Sequence, residues 1–207
     1  MTHDTDNAPA DIAWMRQLAE EGARGPMRGA SILMAAGLVY GLTGLIHWSV
    51  VAGLVAMPTG VFTALWGVAT VLFLAILIVL LWRRRQCGVV TAANRAYGAA
   101  WRAVGWGIFA LLSAMTLVAS RSGGVSAIIL LALLPSVIMV FYGMGWAVTA
   151  AMMKSRPLWG LAIASFVAAP LLGLLAGQDV QYLAYGAALL LLMALPGWLL
   201  MRQAGRA

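Results

Sequence analysis

The 207-residue chain is 63% apolar and 9% charged, with a formal net charge of +7 and a mean hydropathy of +0.94. Soluble domains are about half apolar and about a quarter charged, so an ordinary soluble domain is excluded. Disorder is excluded as well, because a chain this apolar has ample surface to bury and few charges to keep it extended.

A helix crossing about 30 Å of hydrocarbon needs roughly 20 apolar residues. On that ruler the sequence predicts an all-α integral membrane protein with six transmembrane helices in three hairpins, at 30–52, 60–82, 97–119, 125–150, 158–176 and 180–201. Residues 1–29 form a tail before the bundle at 30–201, and 202–207 a short tail after it. Asp4, Asp6 and Asp11 precede the first apolar run where a secretory leader would be short and basic, so the first span is expected to be retained.

In the tail, Asp11 to Arg24 reads as an amphipathic helix stopped by Gly25-Pro26. Ile12, Met15, Leu18 and Ala19 gather on one side with Trp14 at the margin, while Arg16, Gln17, Glu20 and Glu21 take the other. Such a helix either lies in the cytoplasmic interface and orients the first span or docks a protein partner through Trp14, Arg16, Glu20 and Glu21. The sequence leaves both readings open.

All but one of the 13 Lys and Arg residues fall in segments that share a side with the N-terminus, Arg121 being the exception. Basic residues are retained in the cytoplasm, which predicts six spans with both termini in the cytoplasm. The same distribution accounts for the pI near 10.5 through contact with anionic lipid headgroups, so nucleic-acid binding is not expected. Cys87 is the only cysteine, which excludes an intramolecular disulfide; it is read as a passive thiol or an acylation site beside Arg83–Arg85.

Within the spans, Gly37-x-x-x-Gly41 with Gly44, and Gly173-x-x-x-Gly177, offer faces for close helix contact. Pro135 and Pro170 each remove a backbone hydrogen bond in mid-span. Tyr40, Thr43 and His47 share one face of the first span, Thr63, Trp66 and Thr70 one face of the second, and Arg102, Ser113, Thr116 and Ser120 one face of the third. If polar residues turn inward, Tyr40, Thr43, His47, Thr70, Ser113 and Thr116 line a shallow pocket for a small amphipathic ligand, with Tyr182 and Tyr185 at the same level. The competing reading is that these groups bond between helices or to their own backbones, with Arg102 reaching back to the inner surface.

Exclusions narrow the function further. No carboxylate lies in mid-span, which disfavours an ion-coupled carrier loading on a buried acid and excludes a paired-aspartate protease. His3, His47 and Cys87 are too scattered for a metal or haem centre within one subunit, and no phosphate loop or nucleophile motif is present. Neither catalysis, nor a cofactor, nor a metal is expected.

The segment Asp11-Ile-Ala-Trp-Met-Arg-Gln-Leu-Ala-Glu-Glu-Gly22, followed by Leu45-Ile-His-Trp48, resembles a family of small bacterial six-span inner-membrane proteins of unassigned function. The resemblance covers the first quarter of the chain and implies the fold and location without an activity. The expected role is a non-enzymatic accessory or regulatory membrane component, with lipids, a protein partner at the N-terminal helix and a homo-oligomer as its associations. The alternative is a small transporter or half-transporter acting as a homodimer.

Overall fold

The computed structural model describes residues 12–14, 29–58, 60–84, 92–122 and 124–204. Its long helices are α1 (Ala30–Val51), α2 (Val61–Arg84), α3 (Ala92–Ser122), α4 (Gly124–Met152) and α5 (Arg156–Leu174). A last rod combines α6 (Val180–Leu189), a π-helical turn (Leu190–Ala194) and α7 (Leu195–Ala204). Among the described residues six helical segments are long and apolar enough to cross a membrane, which makes this a multi-pass membrane protein. No strand occurs among the described residues. Ile12–Trp14 is helical and exposed; the rest of the expected N-terminal helix, with Arg16, Glu20 and Glu21, lies outside the described residues, as does Cys87.

Helix ends depart from the hydropathy ruler where local chemistry intervenes. The third helix begins at Ala92 rather than 97, since residues such as Asn94 and Arg95 extend a helix beyond the hydrocarbon without penalty from lipid. Helix α5 starts at Arg156 because Pro157 suits a first turn, where its missing N–H costs nothing. It ends at Leu174, and Gly177 then turns the chain at φ 79°, a conformation that favours glycine.

Two seams hold the bundle together. Helix α1 runs against the whole last rod, and glycines set the spacing. A Cβ on Gly37 would fall on the backbone of Ala194, 2.8 Å from its Cα. On Gly44 it would sit 3.1 Å from the Cα of Gly186, and on Gly197 2.6 Å from the Met34 nitrogen. The expected face at Gly37, Gly41 and Gly44 is therefore a true contact, whereas Gly177 of the second glycine pair lies beyond α5 in the turn.

The second seam joins α3, α4 and α5 around Met139, Tyr142, Trp146, Ala150, Leu158 and Ala162. Glycines here receive aromatic rings instead of backbone: Gly143 faces the Phe166 ring, Gly107 that of Phe141, and Gly145 that of Trp101. The two halves meet through long side chains. Pro196 has no N–H, so the Leu192 carbonyl loses its α-helical donor. The ladder shifts to a wider turn, with Leu195 N–H bonding to the Leu190 carbonyl, and the Trp146 indole N–H from α4 donates to Leu192 O at 3.0 Å. A defect in one helix thus becomes the docking point of another.

Helices α2 and α3 stand at the margins. Only 6% of each apolar window is buried inside the protein. Helix α2 lies along α1 and reaches the last rod through Trp66; α3 lies along α4.

Candidate functional site

The end of α1, the start of α2 and the start of α6 converge on His47. Its imidazole is buried, 8% exposed, and sandwiched between two rings: Tyr182 at 3.6 Å between centroids and 12° between planes, and Phe62 at 4.2 Å and 20°. The Trp66 indole N–H donates to His47 Nδ1 at 3.0 Å. An indole N–H can only donate, so Nδ1 must present its lone pair and the ring proton sits on Nε2. A neutral imidazole has one lone pair, and Trp66 uses it. In this arrangement His47 offers a single N–H, on Nε2, and no free lone pair for a metal. Among the described residues no three His, Cys, Asp or Glu side chains gather as a metal set.

The cluster extends inward. Tyr40 stacks on Trp66 at 6.4 Å and tilts against Phe73 at 5.4 Å, with the Thr70 side chain beside its hydroxyl. Tyr185 also stacks on Trp66, at 6.5 Å. Tyr142 and Tyr185 are both buried in the core, and half-buried Tyr40 packs against it. Next to Tyr142, Trp101 N–H donates to Thr149 Oγ1 at 2.9 Å, and Thr149 donates its own proton to Gly145 O at 2.7 Å.

Of the residues expected from sequence, the structure brings together Tyr40, His47 and, at the edge, Thr70. Thr43 is buried on the same helix face, but its hydroxyl donates to Val39 O at 2.7 Å. Ser113 and Thr116 do not join the cluster. They face outward from α3 with Arg102 and Ser120, and their hydroxyls donate to Phe109 O and Leu112 O at 2.9 and 2.8 Å. The premise that polar residues turn inward fails for these two, because each hydroxyl finds an acceptor one turn back in its own helix and has no need of an inward partner. The face of α3 that packs on α4 carries Tyr97, Trp101, Val104 and Ile108 instead.

Phe62, Phe73, Trp101, Trp146, Thr149 and Gln181 escaped the sequence reading. For Gln181 a signal existed, since an amide in a span must find partners for its N–H and C=O groups. Comparison with known protein families, with curated proteins and with solved structures gives no match to the chain.

Proposed function

We propose that the protein is a non-enzymatic accessory or regulatory component of a membrane assembly. The observation that carries this reading is the contrast between a core whose buried polar side chains, Ser136 apart, are hydrogen-bonded within the bundle and two marginal helices, α2 and α3, whose apolar windows are only 6% buried. His47, Trp66, Trp101, Trp146, Thr149 and Gln181 all spend hydrogen-bonding groups on neighbouring helices or backbone, which leaves few to line a polar path. The exposed apolar residues of α2, among them Val68, Val71 and Leu72, offer a flank on which a partner's spans fit. The N-terminal segment, with Trp14, Arg16, Glu20 and Glu21, adds a contact outside the membrane.

The test is native mass spectrometry of the protein extracted with its lipids in polymer nanodiscs. The expected result is a second membrane protein in fixed ratio, lost on Val68→Trp with Val71→Trp while the six-helix bundle itself survives. A bare monomer from the native membrane overturns the reading. The homodimeric transporter keeps one observation in its favour, the outward stripe of Arg102, Ser113, Thr116 and Ser120, which two copies would enclose. A bare dimer that holds a small solute, and releases it on Ser113→Ala with Thr116→Val, would replace the accessory reading with that one.

A further inference from the structure

The hydroxyls of Thr43, Ser49, Thr70, Ser113, Thr116, Ser120, Thr149 and Ser165 donate to carbonyls three or four residues back in their own helices. Ser136 does not. Its Oγ is buried and has no hydrogen-bond partner. The acceptor one turn back, Ala132 O, instead receives the Gln181 Nε2–H of the last rod at 2.6 Å. Gln181 is 1% exposed. Its Nε2 also faces Leu172 O of α5 at 3.3 Å, and its Oε1 accepts from Gly177 N–H at 3.4 Å. One amide therefore ties α4, α5 and the turn between α5 and α6 to the last rod.

Three further features surround this tie. Pro135 precedes Ser136 and withdraws a donor from the α4 ladder, which loosens the helix at that point. Gly177 turns the chain at φ 79° with nothing within 4 Å of where a side chain would begin, so the turn has room to pivot. Tyr182, which follows Gln181 directly, is the ring stacked at 3.6 Å on His47.

We propose that Gln181 is a latch and Ser136 its built-in competitor, giving this end of the bundle two arrangements. In the latched one Gln181 holds the Ala132 carbonyl and the Ser136 hydroxyl goes unmet. In the released one the Ser136 hydroxyl rotates onto Ala132 O, as the other hydroxyls do with their own helices. The first turn of α6 swings about Gly177 and carries Tyr182 off His47, while the Gln181 amide moves toward the exposed turn at Gln178–Val180. The cost of an unmet buried hydroxyl falls only on the latched form, and the cost of moving the amide only on the released form. The unmet hydroxyl therefore narrows the gap that the amide and ring contacts open in favour of the latched form. This device is independent of the accessory reading, since it concerns access to the aromatic cluster from one membrane face.

The experiment is amide hydrogen exchange of the full chain in nanodiscs, read on peptides covering 131–136 and 178–186, for the parent, Ser136→Ala, Gln181→Leu and the double variant. Ser136→Ala deletes the competitor and so disfavours release. Exchange of both peptides is expected to slow by about tenfold, the factor set by one buried hydroxyl gaining or losing its partner. Gln181→Leu is expected to speed exchange, and in that background Ser136→Ala no longer slows it. Unchanged or faster exchange in Ser136→Ala overturns the proposal, as does equal slowing with and without Gln181. Ser136→Ala removes no bond of the latched form, so it decides the matter even if Gln181→Leu fails to fold.

Discussion

Along α1 the last rod comes within backbone contact at Gly37, Gly44 and Gly186, while along α4 the same rod is held at side-chain length by Trp146 and Gln181. The first seam is made largely of what is missing: at Gly37, Gly44 and Gly186 no side chain separates the backbones, so dispersion between them supplies attraction in a solvent as apolar as the protein. The α4 contact is made of what is added, an indole and an amide whose N–H groups reach particular carbonyls. The α1 seam should therefore fail through volume and the α4 contact through lost hydrogen bonds.

The largest effect is expected at Gly37. Overpacking costs about 1–3 kcal/mol where side chains can yield, but here the added atoms meet the Ala194 backbone. Gly37→Val should cost about 3 kcal/mol or more and leave little folded protein by fluorescence-detected size exclusion. Gly98→Val on α3, where nothing lies within 4 Å, should be tolerated. Equal tolerance of both would mean that the α1 seam is not backbone-limited.

Next comes Trp146→Phe, which keeps an aromatic ring and removes the donor to Leu192 O. A buried carbonyl left unmet costs about 1–3 kcal/mol, read as a fall in the thermal midpoint. Pro196→Ala should recover part of that loss only when combined with Trp146→Phe, because a restored backbone N–H at 196 supplies the missing donor. Independent, additive effects would show that the π-helical turn and the indole are unrelated. The smallest effect belongs to Ser113→Ala and Thr116→Val, which are expected to stay within about 0.5 kcal/mol of the parent. A penalty as large as that of Trp146→Phe would mean that a neighbouring chain covers this face of α3.

The contrast also explains what was legible in the sequence. Span number and approximate bounds follow from hydropathy, because lipid thickness acts on composition alone. The glycine seam was visible in Gly37, Gly41 and Gly44, since close approach demands small residues at helical spacing; its partner on the last rod was not, because Gly186 and Gly197 carry no mark of where they pack. Tyr40 and His47 were found through their shared helix face. Ser113 and Thr116 follow the competing reading, bonding to their own backbone, because a hydroxyl in a helix can satisfy itself and so says nothing about direction. Trp146 and Leu192 could not be paired from sequence, as the acceptor is a backbone carbonyl freed by a proline four residues further on.

The α1 seam also bears on how the protein is made. Of the six spans, α1 leaves the ribosome first and its principal partner leaves last. Through the synthesis of α2 to α5, α1 waits in the bilayer with its glycine face unpaired. Closure of this seam cannot precede the arrival of the last rod. A chain halted after α5 would keep five membrane-compatible helices yet leave that face open to quality-control machinery or to the free rod of another copy.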